Sequence, residues 1–280
     1  MKILVLSDLH YVKNDPVSEK KKKFLQGFQG KEELEAVILC GDNAELRPDF
    51  GNHIELFGFL RESFKCPIGF ILGNHELWGV SLPSDALLHK ILPEACSGNR
   101  IVYLENTNLA LNGWTISGTY GHYDHSLARL GKAVKQKNIE EARIILNGIE
   151  HIWNDKKYMR WEGKKDGEIC KELVLSLENR IKGIDKNLIL ITHGTPAYEL
   201  SGYPPSLMQD FFAAFGGSER FAQLCKKYPV KYHFFGHTHS HAEGKIGDAI
   251  AVNVGSDYQN LAYCLFDTEK GSILKNIITF

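Results

Sequence analysis

Seven side chains able to bind a metal ion stand where short apolar runs stop. Asp8 and His10 follow Ile3-Leu4-Val5-Leu6, Asp42 follows Val37-Ile38-Leu39-Cys40 and Gly41, and Asn74 follows Ile68-Gly69-Phe70-Ile71-Leu72 and Gly73. His193 closes the run Leu188-Ile189-Leu190-Ile191, and His237 and His239 come just after Phe234-Phe235-Gly236. Any one of these would pass for an ordinary loop residue; their coincidence at five run ends, with Gly beside three of them, points to a shared centre. Glycine at such turns permits the close approach that a buried site needs. Asp8 and His10 are two residues apart, so on extended backbone they share a face and can grip one ion together. Carboxylate, amide oxygen and imidazole without thiolate suit Mn, Fe, Zn or Ni better than copper or an iron–sulfur cluster. Seven ligands exceed what one ion with an open position takes, so two divalent or mixed-valence ions bridged by a carboxylate fit the count.

The elements that must position these groups are strands. Continuous apolar runs of this length suit strands covered on both faces, and open α/β sheets place their ligands in the crevice beyond the strands' carboxyl ends. The five polar clusters therefore have one natural meeting place.

The blocks Asp8-x-His10, Gly41-Asp42, Gly73-Asn74-His75-Glu76, His193 and Gly236-His237-Thr238-His239 resemble, in type and order, the pattern of the calcineurin-like metallophosphoesterases, and the resemblance spans Asp8 to His239. It implies that one metal is held by Asp8, His10, Asp42 and His239 and the second by Asp42, Asn74, His193 and His237, with His75 left beside the site as a non-ligand. The fold it implies is a four-layer α/β sandwich, two mixed β-sheets flanked by helices.

Paired ions can activate a water and clamp the attacking and leaving oxygens of an in-line displacement at phosphorus. The leaving alkoxide still needs a proton, and His75 is the candidate donor. An imidazole in that role is usually oriented by a carboxylate, for which Glu45 and Glu76 are both options. Glu45 occupies the place where the protein Ser/Thr phosphatase branch has Asp in Gly-Asp-x-x-Asp-Arg-Gly. Here Leu46 follows, Arg47 comes one step late and no Gly comes after it, which displaces the phosphate-gripping Arg of that branch. The expected activity is hydrolysis of a small phosphodiester, with phosphomonoesterase or protein phosphatase as the alternative and a non-catalytic scaffold on the same fold as a further one. A scaffold would be expected to have lost ligands, whereas this chain keeps all seven.

The 280 residues are 43% hydrophobic and 24% charged, ordinary globular values, and ligands drawn from both ends argue for one domain over 1–280. A net charge of −1 supplies no basic channel for nucleic acid, so a small phosphate ester is the expected partner. The run Lys20-Lys21-Lys22-Lys23 reads first as a solvated helix face and second as a device that steers an anionic substrate. Six scattered cysteines without a C-x-x-C pair, no signal-peptide core and no run approaching ~18 apolar residues point to reduced thiols in the cytoplasm and away from a membrane.

Helices are expected around 17–29, 52–64 and 84–91. Ile101-Val102-Tyr103-Leu104 and Trp114-Thr115-Ile116-Ser117 read as strands turning into a second sheet, with Asn112-Gly113 as a hairpin signal. Residues 126–183, charged and helical in period with Trp153, Tyr158 and Trp161, read as a helical cap-like insertion that selects substrate. Gly194 to Pro205 reads as loop, and strands around 248–254, 261–267 and 273–279 are expected to complete the second sheet. Tyr120, His122 and Tyr123, at the end of a strand, are candidate substrate contacts. His241 offers a third imidazole on the face of His237 and His239, for which a supporting or merely exposed place is expected.

Overall fold

A computed structural model describes residues 2–28, 33–47, 50–79, 82–129, 153–202 and 207–280. Two six-stranded sheets carry the fold. The first runs β12-β11-β1-β2-β3-β4, built from β1 (Lys2–Leu6), β2 (Leu34–Cys40), β3 (Ile68–Ile71), β4 (Val102–Tyr103), β11 (Asn260–Asp267) and β12 (Ser272–Thr279). The second runs β5-β6-β7-β8-β10-β9, from β5 (Leu109–Leu111), β6 (Trp114–Thr119), β7 (Leu188–Thr192), β8 (Val230–Phe235), β9 (Glu243–Ile246) and β10 (Ala249–Asn253). In the first sheet β1 to β4 are parallel; in the second β6, β7, β8 and β10 are. Each parallel set is flanked by antiparallel strands.

The alternation of side chains along each strand sorts them into layers. Ile3 and Val5 of β1 join Ile38, Ile71, Ile116, Ile189, Phe234 and Val252 in a core between the two sheets. Leu4 and Leu6 point the other way, into a core with Leu25, Leu56, Phe57 and Leu60 from the outer helices. Leu188 and Leu190 of β7 likewise pack outward on Leu177, Ile181, Phe221 and Leu224. Helix, sheet, sheet and helix give the four layers that the resemblance implied. Burying both faces of β1, β2, β3 and β7 explains why their sequences are unbroken apolar runs.

The helices α1 (Pro16–Gln26) and α2 (Gly51–Ser63) lie close to the expected 17–29 and 52–64, with residue 29 outside the described residues. Helix α1 starts where Asp15 accepts the amide of Ser18 at 2.8 Å with Pro16 in its first turn. Beyond Ser84–Ala86 a π-helical turn, Leu87–Ile91, carries the third expected helix on into α3 (Leu92–Gly98). Asn112 and Gly113, both at positive φ, turn β5 into β6 as the hairpin signal required.

Two sheet assignments need correction. Val102–Tyr103 closes the first sheet beside β3 instead of opening the second, and β11 and β12 return to the first sheet, pairing antiparallel on β1. The apolar pattern of a strand shows that it is buried but carries no record of which sheet buries it. Without β11, the amino-terminal strand β1, apolar on both faces, would be an open edge.

Of the expected cap, residues 130–152 lie outside the described residues, as do 203–205 of the 194–205 loop. The described part holds the short helix α4 (Asn154–Tyr158) and the long helix α5 (Asp166–Ile181). Helix α5 is the crossover between the parallel strands β6 and β7, and its Cys170, Leu177 and Ile181 are buried in the outer core of the second sheet. It is a layer of the fold, while α4 stands at the site. Helices α6 (Leu207–Phe212) and α7 (Glu219–Lys227) complete the described set. No described helix is long and apolar enough to cross a membrane.

Candidate dinuclear metal site

The loops leaving β1, β2, β3, β7 and β8 bring the seven expected ligands together. Asp8, His10, Asp42, His237 and His239 all sit at positive φ, between 45° and 69°. Non-glycine residues rarely adopt this conformation, and it concentrates at functional sites. It turns each side chain back across the strand ends. Two glycines exist for clearance: a Cβ at Gly73 would collide with Asp42 Oδ1, and one at Gly236 with Ser7 Oγ and Asp8 Oδ2.

The donor atoms form two groups. His10 Nε2 and His239 Nε2 are 3.0 Å apart, and His239 Nε2 lies 3.6 Å from Asp8 Oδ1. Across the site His193 Nε2, His237 Nδ1 and Asn74 Oδ1 lie within 3.0 to 3.2 Å of one another. Asp42 Oδ2 faces both groups, 3.2 Å from His193 Nε2 and 3.9 Å from His10 Nε2. The two groups, Asp8 with His10 and His239 and Asp42 with His193 and His237, each converge as a metal site would. The donor set is imidazole, carboxylate and amide oxygen with no thiolate, which fits a pair of Mn, Fe, Zn or Ni ions.

Three of the four imidazoles, His10, His193 and His237, are oriented through their other nitrogen. His10 Nδ1 donates to Glu45 at 2.8 Å, His193 Nδ1 to the Cys40 carbonyl at 3.0 Å and His237 Nε2 to the Phe215 carbonyl at 3.1 Å. Fixing one nitrogen as donor frees the other to bind metal. Burial pushes His237 down to about 3, so it is neutral and ready to ligate. Burial also pushes His193 down, but the neighbouring Asp42 outweighs it and holds it at about 9. A metal ion entering there displaces a proton.

His75 stands beside the two groups. Its Nδ1 donates to Glu45 at 2.8 Å, while Nε2 lies 3.8 Å from Asp42 Oδ2. Burial pushes His75 down, and Asp42 and Glu45 together hold it up at about 9. Burial pushes Glu45 up, but the His10 and His75 imidazoles bring it down to about 2. Between the two carboxylates that could orient His75, geometry picks Glu45. Glu76 is fully buried and employed elsewhere: its oxygens accept the backbone amides of Asp42, Asn43, Ala44 and Gly73 at 2.7 to 3.1 Å, which ties the β2 loop to the β3 loop.

A cavity of about 360 Å³ opens on these groups. Trp78 lies over the His75 ring at 3.6 Å, Tyr258 stacks on His10 at 4.2 Å, and Trp153 meets both Phe212 and His237. These four aromatic residues line the cavity, and neither Lys nor Arg is among its described lining. Asp155, buried at the cavity wall, accepts from Asn74, Trp78 and Trp153; burial pushes its carboxyl up against the pull of Trp78 and Asn74.

The candidate substrate contacts lie elsewhere. Tyr120, His122 and Tyr123 are buried behind the cavity wall, where His122 Nε2 donates to Asp166 at 3.1 Å and Tyr120 stacks toward His193. They pack the wall and do not face the cavity. His241 is exposed, its carbonyl taken by Lys275. In the lysine run, Lys20 and Lys23 are exposed and Lys22 pairs with Glu19 and Glu55, but Lys21 is buried. Its ammonium donates to the carbonyls of Leu9 at 2.9 Å and Asp257 at 2.6 Å, bracing the Asp8 loop against the loop that carries Tyr258. Arg47 lies over the ring of Tyr158 at 4.1 Å and does not line the cavity.

Sequence reasoning misses Trp78, Asp155, Phe212 and Tyr258. Trp78 alone carries a signal, four residues past Asn74; the others reach the site from segments with no ligand motif.

The Calcineurin-like phosphoesterase family model matches residues 1–241. A search of curated proteins gives no match. Among solved structures, phosphopantetheinyl hydrolase from Mycobacterium tuberculosis superposes with a TM-score of 0.70 at 20% identity, covering 92% of this chain and 89% of that one. TT1561 of Thermus thermophilus gives 0.60 at 12% identity, covering 98% and 97%. A putative 5'-nucleotidase from Staphylococcus aureus gives 0.51 at 14% identity, over 99% of this chain and 54% of that one. At these identities the likeness is one of fold.

Proposed function

The chain belongs to the calcineurin-like phosphoesterase family, and from that premise we propose that this metal-dependent phosphoesterase is a phosphodiesterase for a small diester with an apolar or aromatic leaving group. The lining of the cavity carries the reading. A monoester bears up to two negative charges and a phosphopeptide adds a polar chain, and cationic side chains, Arg above all, are the usual means of gripping them. Here the described lining offers Trp78, Trp153, Phe212 and Tyr258 instead. Aromatic faces suit a flat or apolar group on a singly charged diester.

When bound, the metal pair supplies the activated water and neutralises phosphate charge. The chain's own groups do the rest. Asp8, His10, Asp42 and His239 would hold one ion, and Asp42, Asn74, His193 and His237 the other. His75, whose Nδ1 donates to Glu45 beside the two groups, would pass a proton from Nε2 to the leaving alkoxide. Glu45, on Nδ1, keeps the ring turned so that Nε2 faces the site. Tyr258, stacked on His10, and Trp78, over the His75 ring, wall the place where that transfer would occur.

The test compares bis(p-nitrophenyl) phosphate, p-nitrophenyl phosphate, a phosphopantetheinyl ester and a phosphoseryl peptide, each with Mn²⁺, Fe²⁺, Zn²⁺ or Ni²⁺ and with Asp42→Asn as control. The diester is expected to be the best substrate and the phosphopeptide the poorest. A preference for the phosphopeptide or the monoester would overturn the diesterase reading, and no metal-dependent hydrolysis of any ester would put a scaffold in its place.

A further inference from the structure

One buried carboxylate joins the least motif-like part of the chain to three parts of the site. Asp155, in the first turn of α4, is 1% exposed. Its Oδ1 accepts Asn74 Nδ2 at 3.0 Å and Trp78 Nε1 at 2.7 Å, and its Oδ2 accepts Trp153 Nε1 at 3.0 Å. Its carbonyl accepts the amide of Met159 at 2.8 Å, which closes the short helix. Both oxygens act only as acceptors, and all three partners are donors.

Each of these bonds fixes something the site uses. An amide side chain can present its oxygen or its nitrogen to a metal, and only the oxygen can ligate. Donation from Asn74 Nδ2 to Asp155 turns Asn74 Oδ1 toward His193 and His237. The bond to Trp78 holds the indole that lies over His75. The bond to Trp153 holds the indole beside His237 and Phe212. We propose that Asp155 is a positioning residue that sets the orientation of the metal-facing amide of Asn74 and, through Trp78 and Trp153, the walls of the leaving-group pocket. The segment around α4 thereby acts on ion affinity and ester selection through a single carboxylate. The inference rests on the proposed ligand set and on the aromatic cavity as the ester site.

Asp155→Leu keeps a side chain of similar length and removes the acceptor from all three donors at once. Supporting groups of this kind change metal affinity by about ten- to a hundred-fold. Manganese titration of the folded variant by calorimetry is expected to show one site of wild-type affinity and one weakened by that factor. The intrinsic tryptophan fluorescence of the metal-free protein should shift as well, since Trp78 and Trp153 are two of four tryptophans. Two sites of unchanged affinity, or both weakened alike, would overturn the proposal. If the variant does not fold, Trp153→Phe, which keeps a ring and deletes one donor, provides the second test. It is expected to leave both manganese affinities at the wild-type value, because the Asn74 bond to Asp155 remains, and a weakened ion would overturn the proposal. Titration and fluorescence involve no ester, so they can fail while the diesterase reading stands, and the ester panel can fail while they succeed.

Discussion

His10 and His75 share one acceptor. Glu45 takes the Nδ1 proton of both rings, at 2.8 Å in each case, although one ring is placed among the ligands and the other beside them. Substitutions at these residues should therefore separate binding from proton transfer. His75→Ala is expected to keep metal content near wild type while lowering turnover by about a hundred- to ten-thousand-fold, the usual loss of a general acid. Glu45→Gln should do both harms at once, weakening one ion by about ten- to a hundred-fold and lowering turnover. Asp42→Asn should reduce both ions, because Oδ2 faces both groups. Elemental analysis with steady-state kinetics on the three variants checks the set. Metal lost from His75→Ala and kept in Asp42→Asn would reverse the roles.

At the scale of elements, two polar braces hold the loops that carry the site. Lys21 reaches out of α1 to two carbonyls, and Lys21→Met would leave both without a partner. An unsatisfied buried group costs about 1–3 kcal/mol, so the urea midpoint should fall and KM should rise as Tyr258 loosens. A midpoint within error of wild type would show that the brace does not matter. Asp166, in the first turn of α5, takes His122 and His125 at 3.1 and 3.0 Å and also pairs with Lys156. Burial pushes its carboxyl up, but these partners hold it well below the ordinary 3.8. With a folded pKa below the unfolded one, its stabilisation is full above the unfolded value and is lost as pH falls. Metal-free Asp166→Asn should thus be less stable than wild type at pH 7 and about pH 5, with the gap shrinking only as pH falls below about 4 toward the depressed folded value. Denaturation at the three pH values measures it, and a gap that widens toward acid would contradict the assignment. The side chain of His125 is 43% exposed, so solvent screening keeps the gap modest.

Across the whole molecule, the proposed ligands come from both sheets: Asp8, His10, Asp42 and Asn74 follow strands of the first, and His193, His237 and His239 follow strands of the second. Ions bound between them should hold the sheets together. A ligand at a hundred times its Kd adds about 2.7 kcal/mol to a folded state it alone can bind. Chelation is accordingly expected to lower Tm, and titration with Mn²⁺ to restore it in a concentration-dependent way. A Tm indifferent to chelator, in protein shown to be loaded beforehand, would mean that the ions contribute nothing to the joint between the sheets.

What the sequence by itself determined is the part of the molecule written in local pattern. Apolar runs with both faces buried read as strands, polar groups at their ends read as ligands, and Asn112-Gly113 read as a turn, because burial and backbone conformation act within a few residues. The four layers came from the family resemblance that the type and order of those motifs carry. Tertiary structure decided which sheet receives β4, β11 and β12, since strand pairing depends on edges that a strand's own residues do not encode. It also decided between Glu45 and Glu76, which are alike in type and both near the site in sequence, and are parted by the backbone amides that claim Glu76. Lys21 read as one of four surface lysines and became a buried brace. Tyr120, His122 and Tyr123 read as contacts and became wall. Asp155, Phe212 and Tyr258 reached the site from segments with no ligand motif, because a cavity is built by whatever the chain folds against it, and that proximity exists only in three dimensions.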